Sequence, residues 1–261
     1  MTTLGPLARV RNFIFDLDGC VWYGRRPAPG ARVLLRRLRD AGYGVFFLTN
    51  ASGATVQTLV RRLHRAGVVV PRGTVLSPLA VIGRHPLLRR RPPALVIGTV
   101  ALTAALRAAG VPVVADPRRA RVVVVGRNPR MRYADLARAV QALDRGARLL
   151  AVNADTRVPV DGGVVPGAGA IVAALVAVTG VEPAVVGKPS PFFFRAALDA
   201  FGIAARDTAM VGDSVQADVA GGKAAGLVTV LVGGRPRRPR NIRPDLVVRD
   251  LGELRRVLGL G

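Results

Sequence analysis

A single cysteine, Cys20, stands in 261 residues, which excludes an internal disulfide framework. Histidine is almost as scarce. His64 lies among arginines in a helical pattern and His85 in a loop, and neither has the partner spacing of a metal site. Lysine occurs only at positions 188 and 223, and the 16 acidic residues are outnumbered, chiefly by arginine, to give a formal net charge of +23. Such an excess can act as a sequence-independent footprint for nucleic acid. Here the arginines are scattered over helical faces such as LLRRLRDAG and LVRRLHRAG without interleaved aromatics, so no specific nucleic-acid partner is expected. A long apolar run is also missing. The uncharged stretch Gly162–Val181 is interrupted by Pro166 and by glycines, and the AIVAALVAV that remains is too short for a membrane span and suits a buried helix. The N-terminal MTTLGPLARVRN lacks an apolar segment of signal-peptide length, so the expectation is a cytoplasmic enzyme with no membrane partner.

Two nucleotide motifs fail as well. A phosphate-binding P-loop around Lys188 would need glycine where Glu182 stands and Ser or Thr where Pro189 stands. PGAGAIV has Val172 in place of the third glycine of a dinucleotide fingerprint. No repeat of 20 to 50 residues is evident.

What is present is a chain half hydrophobic, long enough for one large domain or two modest ones. Short apolar runs (NFIF, VFFL, LVIG, VPVV, VVVVG, RLLAV, TAMVG, VTVLV, DLVV) alternate with helical patterns near Ala31–Asp40, Ala54–Arg65, after Thr99, Tyr133–Asp144, near Ile171, Phe192–Phe201 and Val215–Ala225. That rhythm predicts an α/β fold with parallel sheets, whose ligands bind at the carboxyl ends of strands. The middle of the chain carries its own strands and helices but no paired carboxylates after a strand, which predicts an inserted second domain.

The loops after strands hold the chemistry. Asp16 and Asp18 follow NFIF, and Asp213 and Asp218 follow TAMVG. Carboxylates this close repel, and a hard cation with oxygen ligands, Mg²⁺, resolves the repulsion. Lys188, one of the two lysines, lies after a strand where a compact positive charge can neutralise phosphate. Thr49 and Asn50 end VFFL and can offer a hydroxyl and backbone N–H groups to an anion.

Taken together, DLDG, TN, GKP and GDSVQAD resemble the four motifs of the haloacid dehalogenase-like superfamily. DLDGCVWYGRRPAPGA, FFLTNAS, VNADTRVPVDGGVVPGAGA and VVGKPSP extend the likeness to the subfamily with a large α/β cap, which contains nitrophenyl, nucleotide, phosphoglycolate and glycerol-phosphate phosphatases. Ala51, Cys20 and Ala217 depart from the usual residues without removing a reacting group. The resemblance implies a Rossmann-like core formed by residues 1–80 and 184–261 with a cap at 81–183. It implies Asp16 as nucleophile, Asp18 as acid and base, and Mg²⁺ held by the Asp16 carboxylate, the Asp18 carbonyl and Asp213, with Asp218 in support. Lys188, Thr49 and the Asn50 N–H would balance the phosphate, and Gly19 would turn the chain away from the site.

The cap loop Asn153–Arg157 follows RLLAV, and its NADTRVP is similar to the loop of phosphoglycolate and glycerol-phosphate phosphatases. Asn153, Asp155 and Arg157 are therefore expected to contact a small phosphorylated metabolite with a polar end. Two alternatives stay open: a nucleoside monophosphate phosphatase, and a basic nucleic-acid-binding protein on a phosphatase fold. A homodimer is allowed for; the sequence does not decide it.

Overall fold

A computed structural model describes residues 5–24, 26–160, 162–233 and 241–261. The chain divides into two compact units, one comprising Met1–Thr49, Gln57–Leu76 and Lys188–Gly261, the other Asn50–Val56 and Ser77–Gly187. The short segment Asn50–Val56, expected within the first domain, groups by its contacts with the second unit.

The first unit is built on a six-stranded parallel sheet. In spatial order its strands are Leu246–Val248, Val228–Val232, Thr208–Gly212, Asn12–Phe15, Gly44–Leu48 and Val75–Leu76. Numbered along the chain this order is 6-5-4-1-2-3, a doubly wound sheet whose winding reverses beside the first strand. Phe13, Ile14 and Phe15 are fully buried, as a central strand covered on both faces requires. The helix Ala31–Asp40 buries Ala31, Leu34, Leu35 and Leu38, the i, i+3, i+4, i+7 stripe its sequence displays. The consequence for function is positional. Asp16, Thr49 and Asp213 each follow the last residue of one of three adjacent strands, on the edge of the sheet where such folds take their ligands.

The second unit has a four-stranded parallel sheet ordered Ala184–Val185, Arg148–Ala151, Val122–Val125 and Ala94–Ile97. Helices Tyr133–Asp144 and Ala168–Thr179 pack on it around Leu95, Val123, Leu143, Leu149 and Leu175. An antiparallel hairpin, Arg157–Val160 with Gly163–Pro166, follows the strand Arg148–Ala151.

Four expectations need correction. VPVV forms no strand: Val113 makes only an isolated bridge to Ala94, because Pro112 has no N–H to give a ladder and contributes only its carbonyl, which accepts from the Ala94 N–H. The helix that contains AIVAALVAV is buried on one face only. Ile171, Val172 and Leu175 are covered while Val178 is 69 % exposed, and most of the outer positions are alanines, whose small apolar area costs little in water. Val215–Ala220 is a π-helical turn rather than α-helix, with the short α-helix Gly221–Ala224 after it. The helix expected from Ala54 begins at Val56. The basic, proline-rich residues 234–240 lie outside the described residues. Among those described, no helix is long and apolar enough to cross a membrane.

Candidate active site

The first strand delivers Asp16 directly, its N–H still bonded to the Val211 carbonyl of the neighbouring strand at 2.8 Å. The side chain is buried, and its Oδ1 accepts from Lys188 Nζ at 2.6 Å. Lys188 donates equally to Asp218 Oδ1, also at 2.6 Å, so one fully buried ammonium bridges two carboxylates. Burial opposes the charge on Lys188, but the two carboxylates more than offset it and hold the ammonium protonated. Asp218 uses its other oxygen, Oδ2, to accept from the Ser214 N–H at 3.0 Å, which closes the loop between the strand and the π-helical turn.

Two glycines make room for this arrangement. Gly212 lies so near that a Cβ there would fall 2.2 Å from Asp218 Cγ. Gly19 adopts φ +99°, and a Cβ there would fall 2.3 Å from Asp213 Oδ2. The sharp turn expected at Gly19 therefore has a second purpose, since the Asp213 carboxylate packs against its bare backbone.

Carboxyl oxygens of Asp16, Asp213 and Asp218 lie within 4.8 Å of one another. Lys188 is the only ammonium among the described residues that pairs with this cluster, and it bridges Asp16 and Asp218. Burial pushes the Asp16 pKa well above the usual carboxylate range, against the attraction of Lys188 and with the repulsion of Asp218 and Asp213 added. The protein around the Asp213 carboxyl, and then the charge of Asp218, push that group up to about 6. Burial is the larger cause of both shifts, and a cluster of carboxylates offering oxygen donors alone fits Mg²⁺.

The Asp18 carboxylate is not one of these three, and the expectation placed its backbone carbonyl rather than its carboxylate at the metal. The carboxylate turns instead to the hairpin formed by Trp22–Tyr23 and Arg26–Pro27. Trp22 Nε1 donates to Asp18 Oδ1 at 2.6 Å, and Arg62 Nη1 lies 3.6 Å from the same oxygen. The Arg62 guanidinium stacks 3.9 Å from the centre of the Trp22 ring and also donates to the Gly24 carbonyl. Arg62 was not legible in sequence, where it is one of several arginines in LVRRLHRAG, and Trp22 was legible as a residue of the site entrance or the core but not as a partner of Asp18.

Thr49 is buried, and its N–H donates to the Leu76 carbonyl at 3.2 Å. Asn50, Asn153 and Asp155 come together within the second unit. Asn153 Nδ2 donates to the Asn50 carbonyl at 2.6 Å, and Asn50 Nδ2 donates to Asp155 Oδ1 at 3.2 Å. The Asp155 N–H in turn donates to Asn153 Oδ1 at 3.3 Å. Arg157 opens the hairpin strand opposite Pro166 and is exposed. Cys20 is a buried packing residue whose Sγ faces the Val211 carbonyl at 3.6 Å, and burial pushes its thiol pKa up. His64 is exposed; His85 is buried and accepts from the Leu87 N–H.

A doubly wound sheet with an acid-and-lysine cluster at the carboxyl ends of its central strands defines a class of enzymes acting on phosphate esters. Sequence comparison makes the assignment definite: residues 13–112 match the family described as haloacid dehalogenase-like hydrolase and residues 185–254 the one described as HAD-hydrolase-like. Human chronophin is 36 % identical over 242 residues, covering 86 % of this chain and 81 % of chronophin. Human glycerol-3-phosphate phosphatase is 34 % identical over 255 residues, covering 86 % and 79 % of the two chains. The crystal structure of a 4-nitrophenylphosphatase from Thermotoga maritima superposes with a TM-score of 0.85 at 33 % identity, covering 96 % of this chain and 98 % of that one. The chain belongs to the haloacid dehalogenase-like hydrolases, in their subfamily IIA, and is a phosphatase.

Proposed function

We propose that this phosphatase hydrolyses a short polyol or hydroxy-acid phosphate, of the glycerol-phosphate or phosphoglycolate type, through an aspartyl-phosphate on Asp16 and with Mg²⁺. The observation that carries the reading is the buried Asp16–Lys188 pair, set at a strand end beside two further carboxylates. Asp16 attacks phosphorus, the bond to the leaving oxygen breaks, and Asp18 gives that oxygen a proton, releasing an alcohol. Water then attacks the aspartyl-phosphate, Asp18 takes a proton from it, and the bond from phosphorus to Asp16 breaks to release inorganic phosphate.

Asp16 and Asp213, with the Asp18 carbonyl and with Asp218 in support, are the groups that would hold Mg²⁺, whose charge would keep the carboxylates ionised and offset that of the phosphoryl group. Lys188 both orients Asp16 and supplies positive charge to the phosphate, and the Thr49 hydroxyl and Asn50 N–H add donors. Because these groups serve the phosphoryl end alone, choice of leaving group falls to the second unit, acting as the cap. Its NADTRVP loop, similar to that of phosphoglycolate and glycerol-phosphate phosphatases, supports a small polar substrate over a nucleotide.

The mechanism is tested by Asp16→Asn, which keeps the shape of the side chain and loses its nucleophilicity. Turnover should vanish in folded variant protein, and wild-type activity with EDTA should vanish and return with Mg²⁺. Rates unchanged in either experiment would remove the corresponding part of the mechanism. A panel of phosphorylated metabolites tests the substrate, and a clear preference for nucleoside monophosphates would replace the assignment made here.

A further inference from the structure

Among the described residues, the hydrogen bond and the ion pair of the Asp18 side chain meet the same oxygen. Trp22 Nε1 donates to Oδ1 at 2.6 Å, and the Arg62 guanidinium lies 3.6 Å from Oδ1. Trp22 is nearly fully buried, so its indole N–H has little choice of partner, while Arg62 is pinned from two further sides by the Trp22 ring and the Gly24 carbonyl. An exposed aspartate would ordinarily sample several orientations and place a proton on either oxygen.

We propose that Trp22, by its hydrogen bond, and Arg62, by its charge, are positioning residues that engage Asp18 Oδ1 and thereby direct the transferred proton to Oδ2. This rests on the acid–base role proposed above for Asp18. With Oδ1 accepting from the indole N–H and paired at 3.6 Å with a guanidinium, a proton there would have to displace the indole N–H and face a cation, whereas Oδ2 meets neither. In the first step the Oδ2–H bond breaks as the proton passes to the leaving oxygen. In the second, Oδ2 takes a proton from the attacking water, so the enzyme returns to its starting state. Neither residue touches the reacting atoms.

The inference has a consequence that a merely structural role would not share. Nitrophenolate leaves without needing a proton, whereas an alkoxide does not, so mispositioning the proton should penalise alkyl phosphates selectively. The test compares kcat for nitrophenyl phosphate with kcat for an alkyl phosphate that the wild type turns over. In Trp22→Phe, which keeps the ring and removes the N–H, the alkyl-to-nitrophenyl ratio should fall roughly tenfold, a fraction of what a general acid supplies, while KM for both stays within about twofold. Arg62→Met should lower the ratio in the same sense by a smaller factor; its side chain is 38 % exposed, so it decides the matter should Trp22→Phe fail to fold. An unchanged ratio, whether or not both rates drop together, would overturn the inference. Asp18→Asn separates the two levels. If it leaves the ratio intact, the acid–base reading itself fails; if it collapses the ratio while Trp22→Phe and Arg62→Met do not, only the positioning role fails. Trp22 is also the only tryptophan of the chain, so its emission reports on the contact. Asp18→Ala should change the emission of the folded protein, and an identical spectrum would count against the hydrogen bond on which the inference depends.

Discussion

Gly19 and Asp213, which leave different strands, are packed so closely that a Cβ on the first would fall 2.3 Å from Oδ2 of the second. Gly19→Ala should therefore act twice. The positive φ alone costs about 1–3 kcal/mol of stability for a residue with a side chain. Displacing Asp213 from the carboxylate cluster should lower activity on the order of 100-fold, the usual scale for a small misplacement at a reacting centre, and raise the Mg²⁺ concentration needed for half-maximal rate. Thermal melts and Mg²⁺ titrations of activity read the two effects separately; near-normal Mg²⁺ dependence would show that Asp213 is not held by this contact.

Lys188 is the sole cation bridging Asp16 and Asp218 among the described residues, so Lys188→Met should leave two buried carboxylates without it. Removing one partner of a buried pair costs roughly 3–5 kcal/mol. The loss should depend on pH with a definite sign. The Asp16 pKa is already raised above its unfolded value, and loss of Lys188 raises it further. A carboxyl raised on folding adds stability below its unfolded pKa and loses it as pH rises through the folded one. The melting temperature of Lys188→Met should thus lie closer to that of the wild type at pH 5 than at pH 8. A gap that does not change with pH would show that the loss does not arise from ionised Asp16.

Asp213 gives a related prediction for the metal. Its pKa of about 6 in the metal-free protein lies above the unfolded value, so its contribution to stability is present at pH 4 and is lost as pH rises through 6. A cation needs the ionised carboxylate. Mg²⁺ should therefore raise the melting temperature more at pH 7.5 than at pH 5, and binding near pH 6 should release protons to the buffer. Calorimetric titration in buffers of different ionisation enthalpy measures that release. A binding constant that stays flat from pH 5 to 7.5 would take Asp213 out of the proposed ligand set.

What could be read in advance follows a physical division. Parallel strands covered on both faces are short apolar runs, so NFIF, VVVVG and TAMVG announced themselves, and the acids after NFIF and TAMVG were legible because a strand end fixes where the next residue goes. Contacts made across loops were not. The Trp22–Asp18 bond depends on a hairpin two residues wide, Arg62 is one arginine among several, and Asn50 finds its partners more than 100 residues further along the chain. Periodicity also cannot distinguish a π-helical turn from an α-helix over the few residues of Val215–Ala220.

The cap loop divides into two roles that kinetics can separate. Asp155 is expected at the polar end of the substrate; its carboxylate also accepts from the Asn50 side chain, and Asn153 binds the Asn50 carbonyl. If Asn50 presents its N–H to phosphate, then Asp155→Ala disturbs a donor common to every substrate. KM should rise by a similar factor for nitrophenyl phosphate and for a polyol phosphate, about tenfold for a hydrogen bond to a charged group, and the inhibition constant of inorganic phosphate should rise with them. Asp155→Asn, which keeps an oxygen to accept from Asn50, should recover most of the loss. Arg157 stands differently, exposed at the start of the hairpin strand. Arg157→Ala should raise KM for the polyol phosphate well beyond its effect on nitrophenyl phosphate, which offers no hydroxyl or carboxylate to hold, and should leave inhibition by inorganic phosphate as it was. Should Asp155→Ala act on polar substrates alone, the residue belongs with Arg157 at the leaving group; should Arg157→Ala act equally on both substrates, the assignment of this loop to substrate choice is wrong.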